Sequence, residues 1–155
     1  MAIDTVVLAV GEDTGERARR LQQVAMEEAD ARDARVVVVH VFDEETVAGA
    51  TQSPHAPAES GADALAREYD PVRDVVETLE SAGLTYEVRG AVGDPGEAVV
   101  SLAESVGADR IVVGGRRRAP AGKATFGSTA QSILLSAECP VTASLDELPG
   151  HGEEW

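Results

Sequence analysis

The chain contains few cysteines, few aromatic residues and no long apolar run, and each of these scarcities excludes a class of structure or site. Cys139 is the single cysteine, so neither an intrachain disulfide nor a cysteine-rich metal site is available. Aromatic residues make up only 3% of the chain, so the core has to be built from valine, alanine, leucine and isoleucine. No apolar run approaches the roughly 20 residues that a membrane-spanning helix needs. With 155 residues, 43% of them hydrophobic, the sequence predicts one globular domain without membrane contact and without a metal site.

Lysine is also scarce, and the chain is strongly acidic. Its formal net charge is −15, and Lys123 is the one lysine among 13 basic residues. Abundant acid, scarce lysine and small core side chains indicate adaptation to high salt, where an acidic surface stays hydrated. The same charge disfavours nucleic acid as a partner, because nucleic-acid binding requires many phosphate contacts. The N-terminus enters an apolar strand without a basic leader, so we expect a cytoplasmic protein.

One segment departs from this acidity. Residues 110–137 contain no aspartate or glutamate and carry five basic residues, so the rest of the chain sums to −20. The five lie close together among several glycines: Arg110, Arg116, Arg117, Arg118 and Lys123. An acidic protein that gathers positive charge on a glycine-rich loop is expected to bind an anion there. The alternative is a solvated loop whose charges only offset nearby acids.

Apolar runs alternate with segments of helical periodicity along the chain. Runs rich in β-branched residues predict five strands, at residues 5–10, 36–42, 84–89, 111–113 and 141–144. Amphipathic segments lie between them, and Asp94 followed by Pro95 and Glu97 is typical of a helix start. Such alternation predicts an α/β fold, a doubly wound sheet of parallel strands with helices on both faces.

Two stretches fall outside this alternation. Residues 43–61 are small and polar and contain two prolines, which predicts a mobile loop. Residues 147–155 are interpreted as a flexible acidic tail. The single domain is therefore predicted to span residues 1–146.

The sheet predicts where a ligand would bind. Ligands of open parallel sheets lie beyond the carboxyl ends of the strands, where the strand order reverses, so the first and fourth strands should flank the crevice. The basic segment follows the fourth strand and leads into a helix, whose N–H groups and dipole favour phosphate. Gly127 would let a phosphate approach the backbone, and the Ser128 and Thr129 hydroxyls can donate to it. The alternative is that Gly127 and Ser128 only cap the helix.

Other kinds of site are not supported by the residue pattern. The chain has neither the phosphate-binding G-x-x-x-x-G-K-[ST] motif nor G-x-G-x-x-G after the first strand. His40, in the second apolar run, is more typical of a core or strand-end residue than of a ligand, and Cys139 is expected to be a small buried residue. No set of serine, histidine and aspartate or of cysteine and histidine is convincing, so we predict no catalytic residue.

These segments together resemble the universal stress protein family. The resemblance rests on the string IVVGGRRRAPAGKATFGSTAQSILLSAECPV, and on VVLAVGED, VVVVHVF and GDPGEAVVSLAESVGADRIVVGG in the expected order. It covers nearly the whole chain. It implies five parallel strands in the order 3-2-1-4-5, a homodimer, and membership of either an ATP-binding or a non-binding branch.

The phosphate side of the family's nucleotide fingerprint is largely present. In binding members the loop reads G-x-x-G, nine residues, then G-[ST]. Gly114, Gly127 and Ser128 match this pattern, whereas Arg117 stands where the second glycine is expected. Two interpretations of Arg117 are open: it occludes the pocket, or it supplies a bidentate phosphate contact.

The base side of the fingerprint is altered. Binding members end the first strand with Pro-Thr-Asp, whose aspartate contacts adenine or ribose, whereas this chain has Ala9, Val10 and Gly11. Val41 matches an apolar position on the adenine side. The candidate nucleotide- or phosphate-binding residues are therefore Ala9, Val10, Gly11, Val41, Gly114, Arg116, Arg117, Lys123, Gly127, Ser128 and Thr129.

The sequence thus predicts a stress-response regulator that binds ATP, another adenine nucleotide or a different phosphate-bearing ligand. The alternative is a dimeric interaction module of the same family that binds no nucleotide and acts on a protein partner. An enzyme that hydrolyses ATP weakly is the least favoured interpretation, because Glu12 and Asp13 are the only candidate carboxylates beside the crevice.

The last strand is expected to form the homodimer. Residues 140–144 should be an edge strand, and a bare edge invites pairing with another chain. The resemblance implies antiparallel pairing with the same strand of a second subunit. Pro140 has no N–H group, so it should lie at the start of the strand, outside the paired ladder. The alternative is that Val141 is buried in the core and that the acidic tail covers the edge.

Overall fold

The computed structural model describes residues 4–11, 16–30, 33–51, 61–118, 123–125 and 128–145. Its strands are β1 (Thr5–Ala9), β2 (Arg35–Phe42), β3 (Tyr86–Val92), β4 (Arg110–Arg118), β5 (Lys123–Thr125) and β6 (Val141–Leu145). Its helices are α1 (Glu16–Asp30), α2 (Glu44–Thr51), α3 (Gly61–Glu68), α4 (Asp70–Ser81), α5 (Pro95–Ser105) and α6 (Ser128–Ser136).

Five strands form a parallel sheet in the order β3-β2-β1-β4-β6, which confirms the predicted strand order 3-2-1-4-5. The β-branched runs occupy its centre, where Val6, Val7 and Leu8 of β1 are fully buried. Strands covered on both faces need such continuous apolar runs. The short strand β5 pairs antiparallel with the carboxyl end of β4 and takes no part in the parallel sheet.

Helices cover both faces of this sheet, as predicted. The helices α1 and α4 bury Ala25 and Val72 against one face. The helices α5 and α6 bury Val99 and Ile133 against the other. The first two crossovers therefore lie on one face and the last two on the opposite face, so the connections diverge between β1 and β4.

The predicted start of α5 is confirmed. The Asp94 carboxylate Oδ2 accepts the Glu97 N–H at 3.0 Å, and Pro95 is the first helical residue. In the same turn, a Cβ at Gly96 would lie 2.5 Å from the Ser132 Cβ of α6. Only glycine permits this approach, so the first turn of α5 packs directly on α6.

The prediction of a mobile loop at residues 43–61 is wrong for residues 44–51, which form α2, and for Gly61, which begins α3. Residues 52–60 lie outside the described residues. The start of α2 is stabilised by Asp43, whose Oδ1 accepts the Thr46 N–H at 2.7 Å. Hydrogen bonds from the Thr46 side chain and from this N–H lower the pKa of Asp43. Aspartate before two glutamates is a helix-start signal, and the alanines and glycine that follow obscured it.

The helix α3 covers the outer edge of β3, and this explains a second difference. The sequence predicts a strand at residues 84–89, whereas β3 runs to Val92 and pairs with β2 as far as Phe42. Gly90 interrupts the apolar pattern because α3 packs on it: a Cβ there would overlap the Ala62 carbonyl. The Gly90 N–H, on the edge away from β2, donates to Asp63 Oδ1 at 2.7 Å.

Two further predictions concern the end of the chain. Pro140 precedes β6 as expected, and its carbonyl accepts the Ile111 N–H at 3.0 Å. The predicted acidic tail, residues 147–155, lies outside the described residues. Among the residues that are described, no helix is long and apolar enough to cross a membrane.

Candidate functional site

The pairing of β1 with β4 stops short of the carboxyl ends of both strands, and the space beyond the last pair is here called the crevice. The two strands pair over only three residues, ending at Leu8 and Val112, whereas β1 pairs with β2 over five. The crossovers also diverge here, which is the position where open α/β sheets bind ligands. The residues that follow the last β1–β4 pair include the predicted Ala9, Val10 and Gly114, which the structure thus brings to the same edge.

The β1 side of the crevice is held by two hydrogen bonds at Val10. Its N–H donates to the Val39 carbonyl at 2.8 Å, and its own carbonyl lies 2.7 Å from His40 Nδ1. The next residue, Gly11, is exposed, and a Cβ there would have no heavy atom of the described residues within 4 Å. The position predicted to lack a carboxylate therefore has room for one.

The β2 side presents Val41, which is half-buried and packs against the α5/α6 face together with Ala9. The Val10 N–H bond to Val39 shows that the backbone groups of Val39 point towards β1. Because this direction alternates along a strand, those of Val41 also point towards β1, beyond the last ladder pair. Two apolar side chains and a backbone donor–acceptor pair thus meet at the predicted base side.

The β4 side differs from the predicted loop. Gly114 pairs with Ser144 of β6, and the strand then continues as a two-stranded antiparallel ribbon with β5. In this ribbon Arg116, Arg117 and Arg118 pair with Thr125, Ala124 and Lys123. The backbone thereby brings four basic residues onto one short ribbon, immediately after the crevice. Residues 119–122 and Gly127 lie outside the described residues.

Arg110 belongs to a different environment from the other basic residues of the segment. It lies at the amino end of β4, where its Nη1 contacts Glu28 Oε1 and Thr142 Oγ1, each at 3.2 Å. Its charge is thus paired with a carboxylate of α1. The ribbon therefore holds the other four basic residues of the segment, whereas Arg110 serves to join α1, β4 and β6.

The N-terminus of α6 lies beside that of α5. Ser128 is the first residue of α6 and is exposed, and Thr129 is half-buried. The Thr129 carbonyl would lie 3.4 Å from a Cβ at Gly96, in the first turn of α5. The dipole of α5 already has its own capping carboxylate in Asp94, so the hydroxyl groups and N–H groups of α6 are the ones that an anion would meet.

A groove of about 220 Å³ lies at the opposite end of the sheet. It is formed where α5 and α6 end, and Ile111, Glu104, Glu138 and Cys139 line it. Cys139, expected to be a small buried residue, is half-buried here, and burial raises the pKa of its thiol. A protonated thiol between carboxylates is a poor nucleophile. The groove is thus separate from the crevice in both position and chemistry.

Residues 3–144 match the model of the universal stress protein family. The chain belongs to the universal stress protein family. A universal stress protein from Mycolicibacterium smegmatis is 31% identical over 138 residues, which cover 88% of this chain and 95% of that protein.

Solved structures of the family share the fold. A universal stress protein from Archaeoglobus fulgidus is 30% identical, with a TM-score of 0.69 over 90% of this chain and 97% of that one. Another structure from Archaeoglobus fulgidus, a universal stress protein in complex with dAMP, is 25% identical, with a TM-score of 0.57 over 92% and 98% of the two chains. The family assignment thus agrees with the strand order.

One contact at this edge of the sheet is not indicated by the sequence. His40 is buried, as expected of a core or strand-end residue, but its ring also bonds to the last residue before Gly11. No local pattern in the sequence indicates this bond, because it joins residues thirty positions apart. Among the described residues, no group of three or more histidine, cysteine, aspartate or glutamate side chains is placed to hold a metal ion.

Proposed function

We propose that this universal stress protein binds an adenine nucleotide, or another phosphate-bearing ligand, in the crevice between β1 and β4. The observation that carries the proposal is the basic ribbon: four positive residues follow the crevice directly in a chain whose formal charge is −15. Such a concentration of positive charge attracts a phosphate group, which the acidic remainder of the surface repels. The N-terminus of α6 adds N–H groups, whose partial positive charge also favours an anion.

The base of the nucleotide would lie between the ends of β1 and β2. Ala9 and Val41 offer apolar surface there, and the backbone N–H and carbonyl of Val41 point towards the same space. The dAMP complex of the Archaeoglobus fulgidus relative supports an adenine ligand without a 2′-hydroxyl. Because Gly11 has no carboxylate to contact a ribose, we expect the site to discriminate only weakly between ribonucleotides and deoxyribonucleotides.

We assign binding and regulation to this site rather than catalysis. Asp43 leaves β2 at the same edge, but its carboxylate caps α2 through the Thr46 N–H. The candidate bases predicted from the sequence, Glu12 and Asp13, lie outside the described residues. A bound nucleotide would therefore act by stabilising one conformation of the protein, which a partner can recognise.

The direct test is titration of the purified protein with ATP, AMP and inorganic tripolyphosphate, by calorimetry and by thermal unfolding. Binding should stabilise the folded protein by RT ln(1 + [L]/Kd), about 2.7 kcal/mol at a ligand concentration one hundred times Kd. We expect ATP to bind more tightly than AMP, because it presents more phosphate to the ribbon. Absence of any heat or shift with all three ligands would contradict the proposal.

Replacing Gly11 by aspartate should tighten binding of ribonucleotides. The structure leaves space for the new side chain, so the expected gain is one charge-assisted hydrogen bond to ribose or adenine, roughly a tenfold decrease in Kd. The gain should be larger for ATP than for dATP if the carboxylate contacts ribose. Gly11→Asn, which has the same shape without the charge, is the control, and equal affinity in Gly11→Asp and the wild type would reject this placement of the base.

A second candidate function is that of a dimeric interaction module, and two observations favour it. Within the described residues β6 pairs with β4 alone, which leaves its other edge open. Leu135, on the helix that precedes β6, is 80% exposed. An open strand edge and a large exposed apolar side chain are both typical of a surface that contacts a partner, here a second copy of the chain.

A further inference from the structure

The hydrogen-bond ladder between β1 and β2 ends at a side chain instead of a backbone group. Its last pair joins Ala9 with Val39, and the Val10 N–H donates to the Val39 carbonyl at 2.8 Å. In an uninterrupted parallel ladder, the next bond would run from the Val41 N–H to the Val10 carbonyl. The register stops before this bond, and His40 Nδ1 lies 2.7 Å from that carbonyl oxygen. A side chain therefore occupies the place of a backbone hydrogen bond.

The imidazole ring is held in a defined orientation. It is 9% exposed and stacks on Tyr69, with ring centroids 4.2 Å apart and planes inclined by 27°. Phe42 contacts it edge-on, with centroids 4.6 Å apart. Because a carbonyl oxygen only accepts, Nδ1 has to carry the hydrogen, and the bond thereby fixes the tautomer of the ring.

The bond lies at the base side of the proposed nucleotide site, and the inference rests on that proposed function. We propose that His40 is a positioning residue for the ligand. Its Nδ1–H holds the Val10 carbonyl and prevents it from closing the ladder onto the Val41 N–H. The ends of β1 and β2 then stay apart, and both backbone groups of Val41 remain directed at the space for the base.

Two substitutions separate positioning from simple packing. The side-chain nitrogen of asparagine falls near Nδ1 of histidine, whereas that of glutamine falls near Nε2, so only His40→Asn retains a donor in the right place. His40→Gln should weaken ATP binding roughly five- to tenfold, the value of one hydrogen bond, and leave tripolyphosphate within about twofold. His40→Asn should bind both ligands nearly as the wild type does. Equal losses in the two variants, or equal losses for both ligands, would overturn the proposal.

A measurement without ligand tests the same bond in the wild type. Nitrogen-15 spectra of the histidine ring should show the Nδ1–H tautomer for His40, and hydrogen exchange at the Val41 amide should be fast for a residue in a central strand. In His40→Gln the Val41 amide should become more protected, as the ladder closes. An Nε2–H tautomer, or a Val41 amide already protected in the wild type, would overturn the positioning role. If the Nδ1–H bond is confirmed but ATP does not bind, the result contradicts the proposed function rather than the positioning role.

Discussion

Replacing Arg116, Arg117 and Lys123 together by alanine is expected to weaken ATP binding by roughly a hundredfold or more. Each charge-assisted hydrogen bond to phosphate contributes about 1.5–3 kcal/mol, so the loss of even two of them gives this effect. The pairing of β4 with β5 places all three residues on one ribbon beside the crevice. Calorimetric titration with ATP and with tripolyphosphate measures the change, and both ligands should be affected alike, because the contacts are to phosphate.

The control for this variant has to lower the net charge by the same amount elsewhere. Arg19, Arg67 and Arg73 are exposed residues of α1, α3 and α4, and their joint replacement by alanine also removes three positive charges. This control should reduce affinity only slightly, since distant charges are screened by salt. Equal affinity in the ribbon variant and the wild type would show that the ribbon does not contact phosphate.

A single substitution then distinguishes the two interpretations of Arg117. If its guanidinium contacts phosphate, Arg117→Gly should weaken ATP binding roughly tenfold. If the side chain instead occludes the pocket, the same change should tighten binding, because it restores the glycine of the family pattern. The sign of the change is decisive, and it does not depend on the exact magnitude.

The second large effect is expected at the open edge of β6. The Ile111 N–H donates to the Pro140 carbonyl, so Pro140 and Thr142 direct their backbone groups towards β4, and Val141 and Ala143 direct theirs to the open edge. Ala143→Pro removes an edge donor and preserves every bond to β4. If two copies pair through this edge, each dimer loses two hydrogen bonds, and the dissociation constant should rise roughly tenfold or more. Light scattering at high salt measures the mass against the 16.1 kDa monomer.

Thr142 is a less suitable position for this test. Its hydroxyl donates to Glu28 Oε1 at 3.1 Å, so a charge there would disturb α1 as well as the strand edge. Ala143→Val, which keeps the N–H group, is the matched control for the proline. Leu135→Glu provides an independent variant outside the sheet, and Ser101→Glu, at an exposed position of α5, is its control. A wild-type mass of a single chain would reject the dimer, and an unchanged mass in both Ala143→Pro and Leu135→Glu would reject this surface.

The strands and the two-faced sheet followed from the sequence because their signals are local, whereas the strand order followed from the family resemblance. A β-branched run such as that of β1 has few other ways to bury its side chains, and Asp94 with Pro95 starts a helix in almost any context. The same local rules failed at α2 and α3. At α3 the helix packs on a distant strand, where the Gly90 N–H donates to Asp63, and a small, polar composition does not record such a contact. At α2 the helix-start signal of Asp43 is local, but the small residues that follow it obscured it.

For the candidate site too, some features followed from local sequence and others required the tertiary structure. The sequence by itself determined the family, the excess of positive charge after the fourth strand and the missing carboxylate at Gly11, since each is a property of residues adjacent in the chain. Only the tertiary structure decided that Arg110 pairs with Glu28, away from the ribbon, and that His40 bonds to Val10. Both contacts form between residues far apart in sequence, and packing of the sheet and its helices, rather than local preference, brings them within hydrogen-bond distance.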